Sequence, residues 1–354
     1  MHARFSWNRL RDNKVFWPAV ALALIMLFNA LFTPGFFRLG IIDGHLYGNL
    51  IDILNRGSAL MLLGLGMTMV IATGGVDLSV GAVVAISGAT ACVLINPMLA
   101  THLRQATEMT QDITYTPLPL LILAALGVSI LCGLWNGILV AWLNIQPMVA
   151  TLVLMVAGRG IAQLIVNGTI ITVYYKPYFF IGNGYIFGLP FTLFIVVAMF
   201  LLSWLLTRRT AIGLFVESVG INARSGFYSG INEKNIKVLA YTFCGFCAGI
   251  AGLILSSNVK SADANTVGLN IELDAILAVV IGGTLMSGGR FSLLASIVGA
   301  IIIQATTTTM YAMGVPALAA TAVKALVVLI VILLYSEQFK GWLTDRFERK
   351  GVRP

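Results

Sequence analysis

Residues 53–95 read ILNRGSALMLLGLGMTMVIATGGVDLSVGAVVAISGATACVLI, and Arg56 and Asp77 are the only charged side chains among them. A membrane helix needs about 20 apolar residues, so this stretch is long enough for two spans and leaves almost no loop. Gly74 and Gly75 disfavour one continuous helix, because each glycine costs about 1 kcal/mol of helix propensity. The stretch therefore predicts two membrane helices joined by a very short turn. The backbone groups of that turn must be satisfied within the protein, since lipid cannot pair with them.

The rest of the chain has the same character. Of its 354 residues 58% are hydrophobic and 10% are charged, against roughly 25% charged residues in soluble domains. This composition excludes a soluble enzyme, a nucleic-acid binder and a disordered chain. Continuous apolar runs also argue against an outer-membrane barrel, whose strands alternate apolar and polar residues. The sequence predicts an all-α polytopic membrane protein with about ten transmembrane helices.

The basic residues indicate how the chain is oriented. Lys and Arg mark cytoplasmic segments, so the net charge of +8 is interpreted as topology rather than as nucleic-acid affinity. We expect a cytoplasmic segment at residues 1–14, a membrane domain at 15–335 with a cytoplasmic loop at 207–237, and a cytoplasmic tail at 336–354. The basic clusters are Arg4, Arg9, Arg11 and Lys14, then Arg208, Arg209, Arg224, Lys234 and Lys237, and finally Lys340, Arg346, Arg349, Lys350 and Arg353.

Two segments resemble each other within the chain. Asp77 and Asp274 are each predicted in the first turn of an apolar helix, and an Ala-Val-Val follows each within a few residues. A carboxylate in the first turn suits the helix dipole. With ten spans the two helices run in opposite directions, as an inverted repeat of a transporter would. Chance similarity between apolar segments stays an equal alternative.

The cysteines and histidines predict no disulfide or metal site. Cys244 and Cys247 have redox-motif spacing, but that motif needs a βαβ context and here lies in an apolar helix. Cysteine there is expected to act as a small apolar residue. His2, His45 and His102 are far apart in polar segments.

Polar residues inside the membrane are candidates for function, because an intramembrane charge costs about 2.5 to 3.5 kcal/mol. Arg159, Lys324, Asp77 and Asp274 are the charged ones. Pairing or snorkelling is an equal explanation for Arg159 and Lys324, and helix capping is the first role expected of Asp77. Interhelical hydrogen bonds compete with substrate binding for the uncharged candidates, since Gly133 and Gly137 allow close helix packing there. These uncharged residues are Asn136, Gln146, Thr151 and Gln163.

The cytoplasmic loop is longer than a connector requires. Residues 215–232 read FVESVGINARSGFYSGIN, a short amphipathic stretch bracketed by glycines. Glu217, Gly220 and Asn222, followed by Gly230 and Ile231, resemble the ATPase-contacting loop of ribose-type sugar ABC-importer permeases. Members often carry Ala-Ala where this chain has Ser225 and Gly226.

Three further segments resemble the same family, and together the match covers roughly residues 50 to 335. They are Thr73 to Gly81, Asn144 to Pro147 with Ala150 to Leu152, and Glu272 to Gly283 continuing through Gly288 to Arg290. In detail the chain looks closest to the galactofuranose-type permeases.

This resemblance implies a ten-helix permease subunit of the bacterial inner membrane, similar to the vitamin B12 type of importer. It implies a second permease subunit in a heterodimer, a cytoplasmic ATP-binding protein and a periplasmic sugar-binding protein. The chain would be no enzyme and bind no cofactor, because ATP and Mg would belong to the ATPase, and the phosphate-cradling motif Gly-x-x-x-x-Gly-Lys-Ser/Thr is missing here. The implied ATPase-coupling residues are Glu217, Gly220, Asn222, Ala223, Gly230 and Ile231. The candidates for the substrate pathway are Asp77, Asn136, Gln146, Thr151 and Asp274.

An ion-coupled secondary transporter is the alternative. It would use Asp77, Asp274 and Arg159 as coupling groups near broken helices, but it has no partner to dock on the cytoplasmic loop. A structural or receptor-like membrane protein would explain neither the glycine breaks nor the internal similarity. For an importer, the resemblance favours a furanose sugar or a pentose, such as galactofuranose or arabinose.

Overall fold

The computed structural model describes residues 15–42, 44–95 and 116–316, together with residues 319, 322–326 and 329. Within them the helices are α1 (Phe16–Phe32), α2 (Asn49–Ala72), α3 (Val80–Ile95), α4 (Leu118–Ala141), α5 (Pro147–Ile165), α6 (Lys176–Asn183), α7 (Phe191–Arg208), α8 (Ile212–Ile221), α9 (Ala223–Tyr228), α10 (Glu233–Val259), α11 (Ile271–Ile281) and α12 (Leu293–Ala312). The strands are β1 (Gly40–Ile42), β2 (His45–Tyr47), β3 (Ile171–Thr172), β4 (Tyr185–Ile186), β5 (Leu189–Pro190) and β6 (Ser261–Ala262). They form three antiparallel pairs, β1 with β2, β3 with β6 and β4 with β5.

Six of these helices, α2, α4, α5, α7, α10 and α12, are long and apolar enough to cross a membrane. Shorter apolar helices are α1, α3 and α8, and α11 has 11 residues. The prediction of a helical, multi-pass membrane protein is confirmed. Ten spans, the inverted repeat and the cytoplasmic placement of both termini stay predictions, because residues 1–14 and 336–354 lie outside the described residues.

The centre of the bundle is α2. Every residue from Gly57 to Ala72 is buried, as expected of a helix that is apolar on all sides. Helix α10 packs against α2, α3 and α4, and α12 packs against α2 from another side. This arrangement places the glycine break after α2 among several other helices, with Gly75 buried and Gly74 exposed.

Helices α4 and α10 approach each other through small residues. A Cβ atom on Gly133 would lie 2.5 Å from the carbonyl oxygen of Tyr241, and one on Gly137 would lie 2.9 Å from the Cα of Val238. Small residues permit such contact between membrane helices, so the predicted close packing is confirmed. Cys244 and Cys247 are free, buried thiols on α10 that lie against Gly66 of α2.

The break between α2 and α3 takes the predicted form of a short turn. Helix α2 ends at Ala72, and Gly74 follows with a φ of +81°. The N–H groups of Gly74 and Gly75 donate to the carbonyl oxygens of Ile71 and Val70, at 2.9 and 3.1 Å. The backbone of the turn is thus partly satisfied by the helix that precedes it. One detail differs from the prediction, because α3 begins only at Val80, so Asp77 precedes the helix instead of lying in its first turn.

Candidate coupling site and pathway residues

The cytoplasmic loop forms two short helices, α8 and α9, separated by Asn222. This residue has extended backbone angles (φ −160°, ψ 101°), which end α8. Its Oδ1 accepts hydrogen bonds from the N–H groups of Arg224 and Ser225, at 3.0 and 3.1 Å. An asparagine N-cap satisfies amides that a helix start otherwise leaves unpaired. The single amphipathic stretch expected from the sequence is therefore divided, and Asn222 sets the direction of the second helix.

Helix α8 carries apolar residues on both its buried and its exposed side. Gly213, Val216 and Val219 are buried against the rest of the protein, whereas Leu214 and Ile221 are exposed on the other side, at 68% and 69%. The amphipathic pattern predicted for the loop is therefore not seen in α8, because apolar side chains also lie on its exposed side.

Helix α9 adds two large exposed side chains to the same loop. Phe227 and Tyr228 are exposed, Tyr228 at 88%. Their rings are arranged edge to face, with the ring centres 6.1 Å apart. Neither residue was among the predicted coupling residues, although an aromatic pair in a polar loop was a signal that could have identified them. Contiguous exposed apolar side chains mark interaction surfaces, and we call Leu214, Ile221, Phe227 and Tyr228 the coupling surface.

The other predicted coupling residues flank this surface. Glu217 on α8 and Ala223 at the start of α9 are half-buried. Gly230 is exposed, with a φ of +81°, and the N–H of Ile231 donates to the carbonyl oxygen of Gly226 at 3.0 Å. The structure thus brings five of the six predicted coupling residues to one loop on the protein surface.

The sixth, Gly220, points the other way. A Cβ atom on Gly220 would overlap the carbonyl oxygen of Ala72 and the backbone nitrogen of Gly289. A Cβ on Gly288, whose φ is +89°, would lie 2.8 Å from the nitrogen of Gly74 and 3.0 Å from the Cα of Gly220. Here α8, the end of α2 and the turn between α11 and α12 touch backbone to backbone.

We call this contact of Ala72, Gly74, Gly220, Gly288 and Gly289 the glycine junction. Gly288 and Gly289 belong to a motif that resembles the family, but no signal in the sequence indicated that they meet Gly220. The junction joins the coupling loop to the glycine break that precedes Asp77.

Asp77 is 1% exposed and lies in a buried polar network. Its Oδ1 accepts hydrogen bonds from the N–H and the Oγ of Ser79, at 2.9 and 2.7 Å. The Nδ2 of Asn136 donates to the Oγ of Ser79 at 2.8 Å and lies 3.4 Å from Asp77 Oδ1. Asp77 therefore accepts an amide hydrogen bond from Ser79, which precedes α3, so this bond closes the turn before the helix and the capping role stays a prediction. The Oδ1 of Asn136 is buried without a partner.

Two hydroxyl groups lie beside the turn that leads to Asp77. The Tyr241 hydroxyl donates to the carbonyl oxygen of Val76 at 3.2 Å, and the Oγ1 of Thr151 lies 3.5 Å from the same oxygen. Thr151 also donates to the Pro147 carbonyl oxygen within its own helix, at 2.9 Å. Helices α5 and α10 thus hold the turn from two sides. Gln146 is exposed immediately before α5.

Asp274 lies apart from these residues. Its Oδ2 accepts a 2.7 Å hydrogen bond from the Nζ of Lys324 in an ion pair whose side chains are 22% and 23% exposed. The pairing considered for Lys324 is therefore present. Of the predicted pathway residues, Asp77, Asn136 and Thr151 surround the break, while Asp274 does not join them. Contact of any of them with substrate stays a prediction.

Arg159 fastens α5 to the loop that precedes α11. Its Nη1 donates to the carbonyl oxygens of Ala264 and Val267, at 3.1 and 2.6 Å. Asp263 in that loop accepts hydrogen bonds from the Thr266 hydroxyl and the Asn265 N–H, and these hold the pKa of its carboxyl below the usual range. Arg159 is therefore hydrogen-bonded within the protein. This supports the structural role that was considered for it as the alternative to a functional one.

A bundle of apolar helices with glycine breaks is an arrangement common in membrane transporters. Residues 49–335 match the family described as branched-chain amino acid transport system / permease component. The match covers well over half of the chain, so the chain belongs to this family.

Three curated relatives show the type of permease that it resembles. The galactofuranose transporter permease protein of Escherichia coli K12 is 48% identical over 95% of this chain and 94% of its own length. The fructose import permease protein of Bifidobacterium longum is 36% identical, over 97% and 93%. The ribose import permease protein of Escherichia coli K12 is 31% identical, over 89% and 91%. The resemblance to ribose- and galactofuranose-type permeases is thereby confirmed. No solved structure matches the chain.

Proposed function

We propose that this chain is the pore-forming permease subunit of an ATP-driven monosaccharide importer in the bacterial inner membrane. The observation that carries the proposal is the loop at residues 212–231, which presents the coupling surface outward and contacts two helix breaks inward through Gly220. A loop that only connects two membrane spans needs neither feature. A separate cytoplasmic ATP-binding protein would cover the coupling surface.

The glycine junction explains how docking could move the membrane helices. Glycines without side chains leave no compressible layer between α8, the end of α2 and the α11–α12 turn. Close-packed contacts transmit displacement, because protein interiors have low compressibility. A shift of α8 on ATP-driven closure of the partner would therefore reach the turn before Asp77 directly. In this mechanism the chain itself catalyses no reaction.

The remaining partners follow the family. We infer a second permease subunit, with a heterodimer favoured, and a periplasmic sugar-binding protein that delivers the substrate. ATP and Mg would bind the ATPase, and this chain would hold no cofactor. Galactofuranose is the favoured sugar, because the relative that is 48% identical is named for its transport, while the names of other relatives include fructose, ribose and xylose.

The test uses the assembled importer in proteoliposomes. Phe227→Asp with Tyr228→Asp should weaken co-purification of the ATP-binding subunit and abolish ATP-dependent sugar uptake, because charges would replace the apolar side chains at the contact. The matched control is Phe187→Asp, which changes an aromatic residue that is 94% exposed in a different loop; it should leave ATPase binding unchanged. Uptake that needs an ion gradient and no ATP would overturn the proposal in favour of a secondary transporter.

A further inference from the structure

A cavity of about 300 Å³ lies directly beside the break between α2 and α3. Three segments form it: the break itself, the turn between α4 and α5, and the first turns of α10. The lining residues are Thr73, Gly74, Gly75, Val140, Asn144, Ile145, Gln146, Pro147, Lys237 and Tyr241. Asn144, Gln146 and Gly74 are exposed, so the cavity is reached from solvent. On the predicted topology this solvent is the cytoplasm.

Three of the side chains that line the cavity can form hydrogen bonds with sugar hydroxyls. The amides of Asn144 and Gln146 each offer both donors and an acceptor, and Lys237 offers donors only. Lys237 lies 3.4 Å from Glu233 in a half-exposed pair, a long contact of a kind that contributes little in solvent. The volume is at the lower limit of about 300 Å³ for small-molecule sites, which fits a monosaccharide.

The backbone of the α4–α5 turn is built to present these groups. Asn144 has a φ of +52°, a left-handed conformation that asparagine tolerates better than most residues. The turn is closed by a 3.1 Å hydrogen bond from the Ile145 N–H to the Leu139 carbonyl oxygen. On the other side of the turn the Nζ of Lys234 lies 5.2 Å from the centre of the Trp142 ring, which holds α10 against the end of α4. The polar side chains therefore project from a fixed turn.

We propose that this cavity binds the transported monosaccharide from the cytoplasmic side and thereby inhibits further import. The inference rests on the proposed function, which supplies the sugar. It adds an inhibitory role for a cavity that shares Gln146 with the predicted pathway residues and that does not include the residues of the coupling surface.

The position of the cavity provides the inhibitory mechanism. Thr73, Gly74 and Gly75 line it, and Gly74 is also part of the glycine junction. A sugar in contact with this segment stabilises the arrangement in which it binds, because a ligand shifts a conformational equilibrium by its difference in affinity for the two states. The break must move for α8 to drive the membrane helices. Bound sugar would therefore oppose the step that ATP hydrolysis drives.

Binding is tested by protection of a cysteine in the cavity. In inside-out vesicles that contain the complete importer, Gln146→Cys is labelled with an impermeant maleimide, with and without D-galactose, D-fructose or D-ribose. At about ten times its dissociation constant the transported sugar should slow labelling about tenfold, as simple occupancy requires. Met148→Cys is the matched control, because it is exposed two residues further on without lining the cavity, and its labelling should not change. Asn144→Cys serves as the second reporter if Gln146→Cys fails to assemble.

Inhibition is tested by the ratio of transport rates with and without sugar on the ATP side of proteoliposomes. The unmodified importer should slow severalfold, and Lys237→Gln and Asn144→Gly should bring the ratio back towards one. The glycine variant removes the amide while keeping the left-handed turn. Active importer with no cysteine protection, or with variants as strongly inhibited as the unmodified protein, would overturn the inference and leave the proposed function intact. If none of the sugars is taken up in the presence of ATP, the proposed function itself is overturned, and this assignment of the cavity is overturned with it.

Discussion

The backbone N–H of Gly289 donates a hydrogen bond of 2.9 Å to the carbonyl oxygen of Ala72. Ala72 is the last residue of α2, and the last carbonyls of a helix have no partner within it. The turn between α11 and α12 supplies that partner, and Gly220 of α8 packs on both groups. Three parts of the chain that are distant in sequence are therefore fixed at one point.

A methyl group at this point should uncouple transport from ATP hydrolysis. In Gly220→Ala the new Cβ would overlap two backbone atoms, and overpacking of this kind costs about 1–3 kcal/mol. We expect α8 to be displaced, so that the complex still assembles and hydrolyses ATP but transports much less sugar per ATP. The measurement is the ratio of uptake to hydrolysis in proteoliposomes. Gly127→Ala is the control, since no heavy atom lies within 4 Å of its Cβ position. An unchanged ratio in Gly220→Ala would show that the junction transmits nothing.

Gly230 tests the outer side of the same loop. It has a φ of +81°, and no heavy atom lies within 4 Å of its Cβ position. Gly230→Arg should abolish ATP-dependent uptake, because a left-handed residue with a side chain is strained by about 1–2 kcal/mol and a charge is added beside the coupling surface. Gly230→Asn, which tolerates this conformation, should keep most of the uptake. A Gly230→Arg importer that transports normally with its ATPase bound would contradict the assignment of this loop.

The helix break at Gly74 and Gly75 could be predicted because its signals are local. Two adjacent glycines, a carboxylate soon after them and 43 nearly uncharged residues leave few alternatives in a bilayer. The close approach of α4 and α10 was also visible, as a pair of glycines one turn apart. The start of α3 was less well predicted. The residues from Thr73 to Ser79 are enough for two further helical turns, but they stay non-helical and make contacts with α4 and α10 instead.

The glycine junction could not be predicted in the same way. Its residues Ala72, Gly220 and Gly289 are separated by more than sixty positions in sequence, and a glycine needed for close approach looks the same in sequence as one needed for a turn. The division of the coupling loop at Asn222 was missed for a different reason. The apolar periodicity continues across it, and the extended backbone of Asn222 is favoured by its two capping hydrogen bonds, which periodicity does not detect.

Removing only one partner of the ion pair between Asp274 and Lys324 should destabilise the fold more than removing both partners. Lys324→Met would leave a carboxylate about one-fifth exposed without its 2.7 Å partner. Removing one partner of a buried pair costs about 3–5 kcal/mol, whereas exposed pairs contribute about 0–1 kcal/mol. For this intermediate burial we expect a loss of about 1–3 kcal/mol in Lys324→Met and a smaller loss in the double variant Asp274→Asn with Lys324→Met. Thermal unfolding of the purified complex measures both, and equal losses would show that the pair does not stabilise the fold.

Cysteine labelling should confirm the orientation inferred from the basic residues. Phe187→Cys, in the predicted outer segment, should react with an impermeant thiol reagent in intact spheroplasts. Asn235→Cys, near the start of α10, should react only in inside-out vesicles, because Lys and Arg cluster on the cytoplasmic side. Phe187 and Asn235 are both exposed. Of the native cysteines, Cys92, Cys244 and Cys247 are buried and Cys132 is half-buried, so the chain without an added cysteine gives the background labelling. Reaction of both variants from one face would mean that an odd number of spans has been miscounted.

Transport should tolerate loss of the charge of Asp77 better than loss of its hydrogen-bond acceptor. Its Oδ1 accepts from the N–H and Oγ of Ser79, and asparagine offers an acceptor in the same position and caps helices about as well as aspartate. Asp77→Asn should therefore keep much of the uptake. Asp77→Leu would leave the donors of Ser79 and the Nδ2 of Asn136 buried with fewer acceptors, at a cost of about 1–3 kcal/mol for each group left unpaired, and should fail to assemble. Size-exclusion chromatography reports assembly, and ATP-dependent uptake reports function. If Asp77→Asn assembles fully and does not transport, the negative charge itself is required, which would favour a gating or ion-coupling role over a capping role.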